Sequence, residues 1–190
     1  MSKLGILGGT FDPPHIGHLI LAQAALENLK LDKIIFIPAA NQPQKQLQQV
    51  SSVAIRLKML KLALGNEEQF EISEIEISRD GLSYTCDTVD ELKDMYPKAA
   101  LYLIIGGDNI SEIETWKKPE DIFTKANVAA ALRPEFKSIG TYMNKIKIID
   151  MPQVDISSTL IRKNVKDGKS IKYLVPERVE NYISANGLYR

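Results

Sequence analysis

The chain has 190 residues, of which 44% are hydrophobic and 25% charged, values that fit one soluble globular domain with a substantial core. Its 24 Lys and Arg residues balance 24 Asp and Glu residues, which argues against nucleic-acid backbone or an anionic membrane as the main partner, since both favour a basic excess. The apolar runs are far shorter than the roughly 20 residues of a membrane span. The N-terminus does not resemble a signal peptide, and the one cysteine, Cys86, cannot form an internal disulfide, so we predict a cytoplasmic protein.

The first half of the chain alternates short apolar runs, typical of buried strands, with amphipathic stretches, typical of helices. In chain order these predict a strand at residues 3–7, a helix at 17–30, a strand at 33–37, a helix from the cap Ser51-Ser52 to Gly65, and a strand at 70–77. A helix between two such strands is the pattern of a βαβ unit.

The second half continues the same alternation. It predicts a helix at residues 87–96, a strand at 100–105, a helix beginning at Pro119, strands at 128–132 and 146–149, a helix from Ser157-Ser158 to Gly168, and a helix at 176–185. This order predicts a Rossmann-like, doubly wound α/β fold with a mostly parallel sheet and helices on both faces. Such sheets bind their ligands at the carboxyl ends of the strands, so the chemistry is expected there.

Directly after the first predicted strand, residues 8–18 read G-G-T-F-D-P-P-H-I-G-H. Gly8 and Gly9 would let a phosphate approach the backbone without a Cβ in the way, and the following helix start offers amide donors and the positive end of a dipole. Gly17 would let this helix begin close to its ligand. The spacing matches neither the dinucleotide pattern G-x-G-x-x-G nor the P-loop pattern G-x-x-x-x-G-K-[ST], which disfavours hydride transfer and P-loop chemistry.

The chain contains only two histidines, His15 and His18, and both lie in this segment. Three residues apart around a helix start, they share one face. Both imidazoles could donate hydrogen bonds to phosphate oxygens as negative charge develops. A zinc site is disfavoured, because no third Cys, Asp or Glu ligand follows in a recognisable pattern.

These residues resemble the H-x-G-H signature of the nucleotidylyltransferases, and the whole chain resembles the bacterial nicotinate-nucleotide adenylyltransferases. The other motifs that carry the resemblance are S-Y-T-x-D-T at residues 83–88, I-G-G-D at 105–108 with Trp116 downstream, Arg133-Pro134, I-S-S-T-x-x-R at 156–162 and N-G-L-Y at 186–189. The S-Y-T-x-D-T block and the tryptophan indicate the nicotinate branch. The resemblance implies one nucleotidylyltransferase domain over residues 1–190, with a C-terminal helical part, about 157–190, packed on it.

The implied reaction transfers the adenylyl group of ATP to nicotinate mononucleotide and yields deamido-NAD and pyrophosphate, a step of NAD biosynthesis. The attacking phosphate monoester is already a dianion near neutral pH, so no general base is needed, and alignment and charge stabilisation can carry catalysis. Mg²⁺ is the implied cofactor, held by substrate phosphates and water rather than by dedicated protein ligands. The implied partners are the two small-molecule substrates, without nucleic acid or membrane, and homo-oligomerisation stays open.

The resemblance also assigns roles to individual residues. The catalytic set is His15, His18, Lys45 and Arg162. The ATP-binding set is Gly8, Gly9, Thr10, Phe11, Gly106, Asp108, Ser157, Ser158 and Thr159. The substrate-binding set is Ser83, Tyr84, Thr85, Trp116 and Arg133. In this scheme the loop at Ser83 meets the nicotinate carboxylate, and the indole of Trp116 stacks on the pyridine ring.

Two positions depart from the family pattern and bear on substrate affinity. Gln44 stands where related enzymes often carry a histidine after the second strand, and Lys117 stands where an aromatic residue is common after the tryptophan. The local charges are also uneven: residues 66–94 hold ten acidic and two basic residues, whereas 156–175 hold five basic and one acidic. We expect the basic stretch near the phosphates and the acidic excess on a separate surface.

Four other functions share part of this pattern. Phosphopantetheine adenylyltransferase carries both the H-x-G-H and the I-S-S-T motifs but is usually shorter and lacks the S-Y-T-x-D-T and tryptophan combination. Nicotinamide-mononucleotide adenylyltransferase differs in the acceptor, whose carboxamide would gain less than a carboxylate from backbone donors. A non-catalytic nucleotide-binding regulator would keep the ATP site without turnover. Class I aminoacyl-tRNA synthetases share H-x-G-H but need far more chain for tRNA.

Overall fold

A computed structural model describes residues 1–41, 50–132 and 141–190. Its centre is a six-stranded sheet in the order β3-β2-β1-β4-β5-β6, in which every described strand pairing is parallel. The strands are β1 Lys3–Gly9, β2 Lys33–Pro38, β3 Phe70–Ile72, β4 Ala100–Gly106, β5 Asn127–Ala131 and β6 Ile146–Ile149. The predicted fold class is confirmed, and the sheet is more uniformly parallel than predicted.

Seven α-helices are present in the described ranges. They are α1 Ile16–Leu29, α2 Val53–Leu64, α3 Ile75–Ser78, α4 Thr85–Met95, α5 Pro119–Lys125, α6 Ser158–Lys166 and α7 Glu177–Ala185. Short 3₁₀ turns occupy Gly107–Asn109, Ile113–Thr115 and Met143–Lys145. None of the helices in this described part combines the length and apolar character needed to span a bilayer.

Helices cover both faces of the sheet because successive strand residues point to opposite sides. On one face, Leu101 and Leu103 pack with buried residues of α4 and α5. On the other face, Ile34 and Ile104 pack with buried residues of α1 and α2. Burial of the central strands on both sides explains why β2, β4 and β5 have nearly continuous apolar sequences rather than alternating ones.

The predicted helix caps are present, and one predicted strand is partly wrong. Ser52 Oγ accepts a hydrogen bond from the backbone N–H of Ile55 at 3.4 Å, and Ser157 Oγ accepts one from Leu160 at 3.1 Å. The strand expected at residues 70–77 ends at Ile72, and Ile75 begins the one-turn helix α3. The alternating apolar pattern continues through this turn, so periodicity alone could not separate the two elements.

A third apolar cluster joins the end of the chain to α2. Its buried members are Met59, Ile161, Ile171, Val175, Val179 and Ile183. Because α2 follows the second strand and packs against the main sheet, this cluster seats α6 and α7 beside the carboxyl ends of the strands. Strand β1 lies between β2 and β4, so the chain winds outward in both directions from it, which is where open α/β sheets form their ligand crevice.

The middle of β1 has no room for a side chain at Gly5. An added Cβ would contact Cδ1 of Ile34 and lie 2.8 Å from Cδ1 of Ile104 and 2.9 Å from Cδ1 of Leu31. We expect Gly5→Ala to lower the free energy of unfolding by about 1–3 kcal/mol, measured by urea denaturation, because this core is overpacked by the added methyl group. Gly8→Ala is the control, since its Cβ would meet no atom within 4 Å; equal stability of the two variants would contradict the prediction.

Candidate active site

A cavity of about 900 Å³ opens at the carboxyl edge of the sheet. Fifteen of the eighteen residues predicted from the sequence line it: Gly8, Gly9, Thr10, Phe11, His15, His18, Ser83, Tyr84, Thr85, Gly106, Trp116, Ser157, Ser158, Thr159 and Arg162. Lys45 and Arg133 lie outside the described residues. The backbone of Asp108 lies in the 3₁₀ turn that follows β4, and its side chain lies outside the described part.

The loop between β1 and α1 forms the floor of this cavity. Gly8 is exposed although it is the last residue but one of a central strand, and a Cβ there would project into open space, so its backbone is accessible to a ligand. A Cβ at Gly9 would lie 3.0 Å from Cζ of Phe11. Phe11 is 1% exposed, and its backbone φ is +51°. The two glycines therefore have different purposes, access at Gly8 and close packing at Gly9.

His15 and His18 lie side by side at the start of α1. Their rings stack with centroids 3.7 Å apart, and the edge of Phe11 contacts His18 at 5.0 Å between centroids. The backbone N–H of His15 donates to Nδ1 of His18 at 3.1 Å, so the proton of the neutral His18 ring is on Nε2, where it is a hydrogen-bond donor. A Cβ at Gly17 would lie 3.1 Å from Nδ1 of His15, so glycine allows this ring arrangement.

The start of α6 meets the same loop. Ser158 Oγ donates to the carbonyl oxygen of Pro13 at 2.8 Å, and Arg162 Nη1 donates to the carbonyl oxygen of Asp12 at 2.8 Å. Arg162 Nη2 also donates to Thr159 Oγ1 at 3.3 Å. These bonds aim the first turn of α6, whose backbone amides lack partners within the helix, at the ligand side of the β1–α1 loop.

The first turn of α4 forms another part of the cavity wall. Ser83 Oγ accepts hydrogen bonds from the backbone N–H groups of Ala40 and Asn41, which ties this turn to the end of β2. Lys117 Nζ lies 3.0 Å from Asp87 Oδ2 and 4.5 Å from the centre of the Tyr84 ring. Burial opposes ionisation of Asp87, but hydrogen bonds from Lys117 and Cys86 outweigh it and hold the pKa of this carboxyl below its ordinary value.

Trp116 lies beside this turn, following the 3₁₀ turn Ile113–Thr115. Its indole Nε1 is buried and has no hydrogen-bond partner among the described residues. The indole packs against the apolar cluster that includes α4 and α5. Packing therefore holds one side of the indole in place, while part of the side chain lines the cavity. This geometry suits a flat aromatic ligand.

A buried polar cluster that the sequence did not reveal supports the floor of the cavity. Arg56, on α2, is 2% exposed and donates to three backbone carbonyls: Thr10 at 2.9 Å, Ala39 at 2.8 Å and Ser51 at 3.0 Å. Burial lowers the pKa of its guanidinium. The sequence holds one indication of this burial: Arg56 lies three residues before Met59, a spacing that places both on the apolar face of α2.

Asp12 completes this cluster and is also 2% exposed. Its Oδ2 accepts from the backbone N–H of Ser51 at 3.1 Å, and its Oδ1 accepts from the hydroxyl of Tyr189 at 2.6 Å. The peptide bond from Asp12 to Pro13 is cis. Tyr189 belongs to the terminal N-G-L-Y motif, but nothing local in the sequence connects it with Asp12.

The expectation that the acidic excess lies on a separate surface is wrong for one residue. Glu76 of α3 lines the cavity and is 8% exposed. Its Oε1 accepts a hydrogen bond from Thr88 Oγ1 at 2.7 Å, and Arg79 Nη2 donates to the same hydroxyl at 3.1 Å. A carboxylate is tolerated there because it is hydrogen-bonded within a network that includes a cation.

Residues 6–164 match the protein family described as cytidylyltransferase-like. Two relatives bear the name "Probable nicotinate-nucleotide adenylyltransferase". That from Desulfitobacterium hafniense (strain Y51) is 41% identical over 99% of this chain and 96% of its own length, and that from Exiguobacterium sibiricum is 42% identical over 98% of each chain. Among solved structures, Plasmodium falciparum nicotinic acid mononucleotide adenylyltransferase complexed with NaAD shares the fold, with a TM-score of 0.84, 21% identity, and coverage of 100% of this chain and 98% of that chain.

Arg56 should matter more for stability than any exposed arginine. We expect Arg56→Met to lower the free energy of unfolding by about 3–5 kcal/mol, because three backbone carbonyl oxygens and the buried Asp12 carboxylate lose a nearby cation. Arg56→Lys should be less stable than the parent protein but more stable than Arg56→Met, since its ammonium keeps the charge but lacks the planar guanidinium that reaches several acceptors. The exposed Arg178→Met is the matched control in urea denaturation, and a loss at Arg56 no larger than at Arg178 would refute this role.

Proposed function

Because this chain belongs to the nicotinate-nucleotide adenylyltransferase family, we propose that it transfers the adenylyl group of ATP to nicotinate mononucleotide, releasing pyrophosphate and forming nicotinate adenine dinucleotide (deamido-NAD). The observation that carries this proposal is one cavity with phosphate-binding elements on its floor and, on its wall, an indole beside a helix start. Residues 1–190 act as one domain in this reaction, a cytoplasmic step of NAD biosynthesis between small-molecule substrates.

The chemistry is an in-line displacement at phosphorus. An oxygen of the nicotinate mononucleotide phosphate forms a bond to the α-phosphorus of ATP as the bond from that phosphorus to the bridging oxygen of pyrophosphate breaks. The second pKa of a phosphate monoester is about 6, so the nucleophile is largely a dianion at neutral pH. No proton has to be removed, and the protein contributes alignment and stabilisation of charge.

Four elements at the floor of the cavity supply that stabilisation. The backbone at Gly8 is open to the nucleotide, and His18 Nε2–H is a donor held in place by the hydrogen bond to its Nδ1. His15 stacks on His18 and acts with it on the phosphate oxygens. Arg162 supplies positive charge beside the amides of the first turn of α6. Lys45 adds a further cation from outside the described residues.

Mg²⁺ accompanies ATP in this proposal. Within the described ranges no group of three or more His, Cys, Asp or Glu side chains could hold a metal ion. The hydrogen-bond donors at the floor of the cavity are imidazoles, backbone amides and a guanidinium, groups that suit phosphate oxygens. This fits an ion that is carried by the triphosphate and held mainly by its oxygens and water. When bound, the ion neutralises charge on the triphosphate.

The wall of the cavity favours an acid acceptor over an amide. The first backbone amides of α4, from Thr85 onward, and the positive end of its dipole suit a carboxylate. Asp87 in the same turn would repel that carboxylate, but Lys117 neutralises it through a direct ion pair. Lys117, which departs from the family pattern, thus preserves the positive character of this helix start. Trp116 provides the flat surface for the pyridine ring.

The proposal is tested by incubating the protein with ATP and Mg²⁺ plus one acceptor at a time: nicotinate mononucleotide, nicotinamide mononucleotide or phosphopantetheine. Pyrophosphate release is followed, and the nucleotide product is identified by mass. We expect the highest kcat/KM with nicotinate mononucleotide. Preference for either other acceptor would overturn the substrate assignment, and no turnover with any of them would favour a nucleotide-binding regulator.

His18 should be more important for turnover than for folding. We expect His18→Ala to lower kcat about 10²–10³-fold, the usual effect of removing one preorganised donor to developing charge. Its thermal stability should change modestly, because the variant loses one hydrogen bond to the His15 backbone. Gln23→Ala, on the same helix but paired with exposed Glu27, is the control. Normal turnover of a folded His18→Ala protein would rule out the proposed role.

Lys117 should influence the choice between acid and amide acceptors. We expect Lys117→Met to raise the KM for nicotinate mononucleotide about tenfold, because Asp87 would then be uncompensated near the ligand carboxylate. The KM for nicotinamide mononucleotide should change little, and Lys117→Arg should behave like the parent. Lys118→Met removes a neighbouring exposed cation as the control. An equal rise in KM for both acceptors would show that Lys117 does not discriminate between them.

A further inference from the structure

The penultimate residue of the chain, Tyr189, reaches the floor of the cavity. Its hydroxyl donates to Asp12 Oδ1 at 2.6 Å across 177 positions of sequence, and it also lies 3.8 Å from Met59 Sδ. Both Gly187 and Tyr189 have positive φ values, +59° and +63°. These conformations turn the last residues back toward the body of the protein instead of letting them extend into solvent.

Tyr189 is one of four contacts by which the C-terminal part holds the β1–α1 loop. The other three are Ser158 Oγ to the carbonyl oxygen of Pro13, Arg162 to the carbonyl oxygen of Asp12, and the backbone N–H of Ile16 to the carbonyl oxygen of Leu174 at 3.0 Å. Tyr189 alone among them binds a charged side chain. Its target, Asp12, is followed closely by His15 and is the residue whose backbone binds Arg162.

The ring and the hydroxyl of Tyr189 have separable roles. The ring packs with the apolar cluster of α2, α6 and α7, which seats the end of the chain. The hydroxyl makes the bond to Asp12. Burial, and then the hydrogen bond to the Asp12 carboxylate, raise the pKa of Tyr189 above its ordinary value. The hydroxyl therefore keeps its proton, and remains a donor, throughout the neutral and mildly alkaline range.

On the basis of the proposed function, we propose that Tyr189 is a positioning residue whose hydroxyl holds Asp12 in place so that Arg162 remains directed at the triphosphate. Asp12 is almost fully buried and must find donors for both carboxylate oxygens. Arg56, the other cation near Asp12, is held by three backbone carbonyls. Without the Tyr189 hydroxyl, the guanidinium of Arg162, which already binds the Asp12 backbone, is therefore the cation that can turn toward the carboxylate. An Arg162 paired with Asp12 would be turned away from the phosphates, and ATP would bind less well.

The test is Tyr189→Phe, which deletes the hydroxyl and keeps the ring, compared with Tyr182→Phe. Tyr182 packs in the same apolar cluster, and its hydroxyl makes no hydrogen bond among the described residues. We expect Tyr189→Phe to raise the KM for ATP, and its directly measured dissociation constant, by about tenfold, the usual effect of one hydrogen bond to a charged group. The KM for nicotinate mononucleotide should stay within about twofold, because its ring site lies at α4.

A purely structural role would give a different result. Loss of folded protein would lower the apparent kcat without changing either KM, and equal changes in both KM values, or none, would overturn the proposal. A double-mutant comparison tests whether Tyr189 acts through Asp12: Tyr189→Phe should have little further effect on ATP binding in an Asp12→Ala background, because the carboxylate that the hydroxyl binds is already gone. An additive tenfold loss there would also overturn it.

Failure of the positioning role of Tyr189 can be distinguished from failure of the proposed function. Deamido-NAD formation by the parent protein tests that function directly. The dissociation constant for ATP tests Tyr189 even if no acceptor is turned over. Tighter or unchanged ATP binding by Tyr189→Phe, with an active parent protein, would reject the positioning role alone.

Discussion

The carboxylate of Asp12 and the guanidinium of Arg56 are both almost fully buried, and each can remain there only if its hydrogen bonds are made. Their partners come from the β1–α1 loop, the end of β2, the start of α2 and the end of the chain. Satisfying the two charged groups therefore fixes four separate segments at once. A hydrogen-bonded polar cluster therefore supports the floor of the cavity from below.

The sheet order determines which elements meet above this cluster. Because β1 is flanked by β2 and β4, the loops after these strands converge at one edge, and the switch in winding direction leaves a crevice between them. Gly8 and Gly9 are the last two residues of β1 and Gly106 ends β4, so backbone rather than side chain lines much of the crevice at these points. The first turns of α1, α4 and α6 complete it. In the proposed function, phosphate binding and recognition of the acceptor ring belong to different elements of this one cavity.

Local patterns predicted most of this arrangement. Apolar runs located five of the six described strands to within two residues, and the serines before α2 and α6 located the helix starts. The error at residues 70–77 arose because a one-turn helix has no period of its own to detect. Contacts such as Tyr189 with Asp12 could not be predicted, since nothing in either segment specifies the other. Arg56 was missed for a different reason: a lone arginine among apolar helix residues has the same appearance whether its head is buried or reaches water.

The way in which charges are arranged around the cavity is consistent with the zero net charge of the chain. Among the described residues at the cavity, Lys117 is paired with Asp87, and Glu76 shares the Thr88 hydroxyl with Arg79, whose ion partner is Glu91. Apart from Arg162, the described side chains of the cavity therefore supply little positive charge, so the attraction for anionic ligands depends largely on N–H groups at helix starts. Those groups are fixed by the backbone and do not titrate. Under the proposed function, a protein that binds several phosphates in this way needs no basic surface. The placement of the β1–α1 loop should then affect its affinity more than total charge does, which is why we expect contacts beneath that loop to matter for function.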